Sequence, residues 1–216
     1  NAQHSLKLGM LYTHHFLDNR ERSVRNLYYN TDRENQAEFL DDKFTFLYYE
    51  PVVYGDTSVY SDVYEVDPYE FSGYIQDKME FEEMVINLGV RLDYFNPNTV
   101  YPSDRRNPAN DLFEDDPERR SEYLDAEEKI QISPRLGLAY QLGRKAVLRF
   151  SYGHFFQMPP MYALFQNHSF RVSPTDYATT MGNAQLNAQK TIQYEIGLWQ
   201  ELFQGLGFEM ALYYRD

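Results

Sequence analysis

A chain of 216 residues, 43% hydrophobic, without cysteine and with a formal net charge of −13, has length for one or two domains and offers no disulfide framework or thiolate site. The acidic balance argues against nucleic acid, which calls for basic patches. There is no run of about eighteen apolar residues, which excludes a membrane helix but not a membrane barrel, whose strands need only alternate.

Alternation is what the chain shows, in seven stretches. His4 to Phe16 places Leu6, Leu8, Met10, Tyr12 and Phe16 on one parity against Lys7, Gly9 and Thr13. After a long acidic segment, Tyr69 to Phe81 sets Phe71, Gly73, Ile75, Met79 and Phe81 against Ser72, Tyr74, Gln76 and Lys78. Within that acidic segment, Phe44 to Tyr49 reads either as a strand extension or as loop. A short turn at Glu82-Glu83 leads to Met84 to Phe95, where Met84, Ile86, Leu88, Val90, Leu92 and Tyr94 oppose Asn87, Gly89, Arg91 and Asp93. Residues 96–129, rich in Pro, Asn and Asp, read as loop.

Ile130 to Phe156 is a hairpin broken at Gly143-Arg144-Lys145. Its apolar parity carries Ile130, Ile132, Leu136, Leu138, Tyr140 and Leu142, then Ala146, Leu148, Phe150, Tyr152 and Phe156. Arg135, Gly137, Arg149, Ser151 and Gly153 lie on the other parity. A connection over 157–189 follows, then Thr191 to Leu202 and Gly207 to Arg215, joined by a turn at Phe203 to Leu206. Trp199 falls on the polar parity, against the pattern. Each limb of about eleven residues, tilted near 45°, rises about 25 Å, the height of an outer-membrane apolar band.

Connections alternate long and short, the asymmetry of outer-membrane barrels, with short periplasmic turns and long external loops. The charge divides along the same lines. Residues 17–70 carry 13 acidic and 5 basic residues, residues 96–129 carry 10 and 5, and the remainder is balanced. Both acidic segments therefore fall on the external side. Tyrosine pairs near strand ends, such as Tyr28-Tyr29 and Tyr213-Tyr214, fit interfacial girdles, although tyrosine-rich soluble sheets share that composition. The fold expected is all-β: an antiparallel transmembrane β-barrel fragment of seven strands with long extracellular loops, in the cell outer membrane. Seven strands leave two open edges, and the chain begins and ends mid-pattern without a secretory signal, so a partial barrel over 1–216 is expected.

Phe71 to Tyr94, FSGYIQDKMEFEEMVINLGVRLDY, resembles a recurring hairpin of TonB-dependent outer-membrane receptors, and Met181 to Leu198, MGNAQLNAQKTIQYEIGL, is similar to that family's approach to a late strand. Ala184 stands where the family pattern has Pro, and Asn187-Ala188-Gln189 where it has Lys-Pro-Glu. Ser133-Pro134-Arg135 and Phe150 to Pro160 resemble the family's middle hairpin. Among its members, the chain resembles the large receptors that carry an N-terminal carboxypeptidase-regulatory-like domain. The resemblance implies a barrel of about 22 strands, closed by a plug domain, with ligand captured outside and import energised by TonB. Plug and TonB-contacting segment are expected outside this sequence. The implied partners are outer-membrane lipid, the receptor's own plug, the TonB complex, and a small-molecule, glycan or peptide ligand. Two other readings use the same strands: a passive porin-like channel, and a soluble β-sheet binding module.

No enzyme is expected, because no nucleophile–base arrangement has suitable spacing, and no cofactor is implied. His14 and His15 are adjacent, so they point to opposite faces and cannot chelate together; with His4, His154 and His168 they read as interfacial or loop residues, not metal ligands. The acidic clusters Asp41-Asp42 and Glu114-Asp115-Asp116 lack calcium-loop spacing and read as solvated loop. Lumen-parity Arg91, Asp93, Arg135, Arg149 and Glu195 are expected to face the plug or one another. Gln157 to Phe165, QMPPMYALF, supplies the candidate ligand contacts Gln157, Met158, Tyr162 and Phe165, because it is apolar, aromatic and at the external end. The competing reading of that stretch is a loop packed into the barrel opening.

Overall fold

The computed structural model describes residues 3–34, 36–40, 43–107, 109–113, 115–167, 171 and 180–216. Its elements in chain order begin with β1 (Gln3–His14), β2 (Leu17–Arg22), β3 (Val24–Asn26), β4 (Ala37–Leu40), β5 (Lys43–Phe46), β6 (Pro51–Val53), β7 (Ser61–Val66) and β8 (Tyr69–Glu80). They continue with β9 (Met84–Asn96), β10 (Val100–Pro102), α1 (Ala109–Leu112), β11 (Tyr123–Asp125), β12 (Lys129–Leu142), β13 (Ala146–Gln157), α2 (Met161–Phe165), β14 (Gln189–Phe203) and β15 (Leu206–Arg215). The seven long strands are the seven expected, each within two residues at either end. They form one antiparallel sheet in the order β1-β8-β9-β12-β13-β14-β15. The sheet is not closed, and β1 and β15 are its edges.

The two faces differ as the alternation requires. On β12, Ile130 and Ile132 are 63% and 61% exposed, while the intervening Lys129, Gln131 and Ser133 are 8%, 6% and 1% exposed. An apolar face left this bare over seven strands has no place in water, where burying apolar surface is the main driving force of folding; it is the lipid face of a barrel wall. Two tyrosine rows cross that face toward the end where the long connections emerge. Tyr12, Tyr69 and Tyr94 have ring centroids 6.4 and 6.1 Å apart, and Tyr152, Tyr194 and Tyr214 lie 5.0 and 6.3 Å apart. Such amphipathic rings suit the boundary between hydrocarbon and water. The short turns close on Gly143 (φ +66°) and Gly205 (φ +90°), where a side chain would strain the left-handed backbone.

The acidic segment 17–70 is not loop. The β1–β8 ladder runs on past its last pair, His14 with Tyr69, through the His15 N–H to the Pro68 carbonyl at 2.9 Å. It then continues as β2 with β7, β3 with β6 and β4 with β5, a ribbon standing beyond the wall. Phe44 to Phe46 is part of that extension. With water around it, the ribbon is tied by rings and cations instead of by lipid. Arg25 lies over Tyr29 and Tyr60 at 5.0 and 4.8 Å, and Arg33 over Tyr48 at 5.0 Å. The segment 96–129 likewise departs from plain loop, containing the β10–β11 pair and the one-turn α1.

Candidate functional site: polar face and external mouth

Of the lumen-parity charges, Arg91, Asp93, Arg135, Arg149 and Glu195 all lie on the face opposite the apolar one. The first two are paired with each other, the Arg91 Nε donating to Asp93 Oδ1 at 2.8 Å and Oδ2 at 3.0 Å. Arg149 reaches diagonally across Gly197 to Glu209, its Nη1 donating to Oε1 at 3.2 Å. Both partners of that bridge are well exposed in the sheet, so it contributes about 0–1 kcal/mol. The Arg135 guanidinium lies over the Phe155 ring, 5.2 Å from its centroid. The polar face also carries a groove of about 570 Å³, bordered by Lys7, Gln76, Asn87, Arg135, Ser151 and Gln193. Trp199, the departure from alternation, lies over Gly207, whose missing side chain leaves room for the indole. Tyr74 occupies the space left by Gly9 in the same way.

Above the groove the external connections knit together. Leu164 and Phe165 of α2 are buried at 2% and 0% exposure against Val66 and Phe95, with Leu17, Tyr64, Met158 and Met161 packed around them. Burial pushes the Tyr64 phenol pKa up, and Asp62 and Glu21 add to the rise. The segment Gly182 to Leu186 closes over α2. The Gly182 N–H donates to the Gln166 carbonyl at 2.7 Å, and the Asn183 N–H to the Ala163 carbonyl at 2.8 Å. Arg105, from the preceding connection, donates to Asn183 Oδ1. Burial lowers the Arg105 pKa from its ordinary value. Gln185 Oε1 accepts from the Glu127 N–H at 3.1 Å and from Lys129 Nζ at 3.2 Å, tying the same segment to the start of β12. On the other side the Asn167 N–H donates to Asp62 Oδ2 at 3.0 Å, and Arg171 Nη1 to the Asp56 carbonyl at 2.6 Å, which joins the connection to the ribbon.

The model of the family described as "TonB dependent receptor-like, beta-barrel" matches residues 1–216. The chain belongs to that family. No curated protein matches it. Members of the family are outer-membrane receptors and transporters, not enzymes, and this chain is part of a receptor wall of that general kind. A barrel wall of that kind turns its apolar face to lipid and its polar face to the lumen.

In the receptor wall the stretch Met181 to Leu198 does structural work that its resemblance alone did not explain. Gly182 sits against the backbone of α2: a Cβ there would lie 2.7 Å from the Leu164 carbonyl carbon and oxygen and from the Gln166 nitrogen. Gly182→Ala is therefore expected to push the segment off α2, at a cost of about 1–3 kcal/mol. Faster proteolysis of the external connections in the folded receptor, with unchanged barrel mobility on gels, would register it. Protection equal to the wild type would show that the contact is not held.

The candidate ligand contacts divide. Gln157 and Tyr162 are exposed at the mouth, Tyr162 at 64%, whereas Met158 packs against the buried cluster and Phe165 is wholly inside it. Phe165 presents no surface to a ligand in this fold and serves the loop's own packing. Only contacts between distant segments reveal this, and no local pattern carries them. Of the histidines, His154 bonds the Tyr152 hydroxyl at 2.6 Å on the lipid face, and His15 Nε2 lies 3.1 Å from Glu70 Oε1. His168, Asp41, Asp42 and Glu114 lie outside the described residues. Among the described residues no group of three His, Asp or Glu side chains could hold a metal ion.

Asp77 is a carboxylate on the apolar face. It shares the apolar parity with Ile75 and Met79, opposite Leu6 and Leu88, and its Oδ2 lies 2.8 Å from His4 Nδ1. The signal was present: strict alternation through Tyr69 to Phe81 requires position 77 on the outward side.

Proposed function

We propose that the chain is part of the wall of a TonB-energised receptor that captures a scarce nutrient at the cell surface and imports it through the lumen. The observation that carries this reading is the joining of all three external connections around α2, directly above a polar groove, in a barrel of this family. A mouth of this form supports selective capture. Gln157 and Tyr162, exposed at its border, are the residues proposed to touch ligand, and Arg91, Asp93, Arg135, Arg149 and Glu195 form the surface proposed to meet the plug. The plug and the TonB-contacting segment belong to the rest of the receptor in this reading.

The test uses the full-length protein. It is expected in the outer-membrane fraction, with a gel mobility that changes on boiling. In planar bilayers a plugged receptor is expected to give no steady ion conductance. A steady open conductance would favour the passive channel, and fractionation as a soluble protein without detergent would remove the membrane reading altogether.

A further inference from the structure

One line of register crosses the whole lumen face. From Lys7 and Gln76 it passes through Gly89, Arg135 and Gly153 to Gln193 and Arg215, one residue from each long strand. The line contains three cations and no carboxylate. None of the residues bordering the groove around it is Asp or Glu, in a chain with 33 acidic residues. Arg215 is engaged, its Nη2 donating to Gln193 Oε1 at 3.2 Å. Elsewhere on this face Arg91 has Asp93, Arg149 has Glu209 and Lys78 has Glu80. Among the described residues Arg135 has no carboxylate partner.

Its surroundings are built around it. The directly opposed residues on both neighbouring strands are glycines, so no directly opposed side chain crowds the Arg135 side chain. A Cβ at Gly153 would touch Arg135 Cγ at 3.6 Å and the Phe155 ring at 3.4 Å. Phe155 lies against the guanidinium, which orients its fork of donors without consuming them. The next lumen-parity residue, Ser133, is 1% exposed and its Oγ has no hydrogen-bond partner among the described residues. Lys7 stands three strands away, roughly 14 Å between backbones at the usual strand spacing, at the far border of the same groove. A single free guanidinium, with donors in a plane, matches a monoanion that accepts two parallel bonds.

We propose that the Gly89–Arg135–Gly153 seat binds a carboxylate, presented to the lumen by the receptor's own plug or by the imported ligand. The proposal rests on the barrel reading, since it needs this face to enclose a lumen.

The full-length receptor tests it by two measurements. First, phenylglyoxal labels arginines in the folded, detergent-purified protein, and peptide mass spectrometry compares Arg135 with Arg144 in the exposed turn. Second, Arg135→Lys is treated with a water-soluble carbodiimide. A carboxyl group seated on the introduced amine then forms an isopeptide bond, with the activating reagent leaving as its urea. A plug carboxylate is expected to give an internal cross-link from the β12 peptide to an acidic peptide of the same chain, with Arg135 labelled about tenfold more slowly than Arg144. A ligand carboxylate is expected to give no internal cross-link, but labelling of Arg135 that slows when benzoate is added, while Arg144 is unaffected. Absence of both the cross-link and the benzoate effect, in a receptor with heat-modifiable mobility, overturns the seat alone. A wild-type protein that lacks heat-modifiable mobility overturns the barrel reading and the seat with it.

Discussion

Leu138→Arg is expected to destabilise the receptor in a bilayer by about 2–4 kcal/mol, while Gly137→Ser, one residue away, costs less than about 0.5 kcal/mol. The difference follows from facing. Leu138 is opposed by Ile86 on β9 and Phe150 on β13, so its side chain belongs to the lipid face. An arginine there carries its charge into hydrocarbon, and its fork of donors finds no water. Gly137 is opposed by Asn87 and Ser151 on the lumen face. A Cβ at Gly137 would meet Asn87 Cβ at 3.6 Å and its Nδ2 at 3.7 Å, ordinary contact, and a hydroxyl finds polar neighbours. Urea titration of the full-length receptor in phospholipid vesicles, scored by the heat-modifiable band, gives both values. Equal losses at the two positions would mean that the facing is wrong for the whole sheet, because one register joins all seven strands.

That dependence on facing also explains what could be read from the residues alone. Lipid on one side and a wet lumen on the other impose a constraint at every position of β9, β12 and β14. Strand ends and parity are therefore legible there to within two residues. Beyond its base, where Leu17, Tyr64 and Val66 join the buried cluster, the ribbon has no lipid face, so its strands carry no period and its acidic composition imitates loop. Its ladder is fixed instead by continuing the β1–β8 register. The mouth is less legible again. Phe165 looks the same in sequence as Tyr162, three residues before it, and only Val66 and Phe95, each some seventy or more residues away along the chain, make one a core residue and leave the other exposed. Arg135 presents a third case. Its parity was visible, but the two glycines beside it come from strands on either side, and they become neighbours only when the register is known.

Phe165→Ala is expected to remove about 3–5 kcal/mol from the packing of the external mouth, because the side chain is fully buried and its cluster has few residues to close the void. The loss is local. The seven-stranded ladder does not pass through α2, so heat-modifiable mobility should persist while the mouth opens more often. When opening and closing are fast relative to cleavage, protease sensitivity follows the open population, so 157–189 should be cut on the order of a hundredfold faster or more. Tyr162→Ala serves as the comparison: at 64% exposure it should leave that protection within a few-fold of wild type. Ligand binding then separates the roles of two aromatic residues that stand three positions apart in sequence. A contact role for Tyr162 predicts weakened binding with an intact mouth, whereas Phe165→Ala weakens binding only as far as the mouth is loosened. Phe165→Leu, which refills most of the volume, should restore both protection and binding together. If Phe165→Leu restores protection but leaves binding impaired, the ring itself meets ligand, and the mouth must open to expose it.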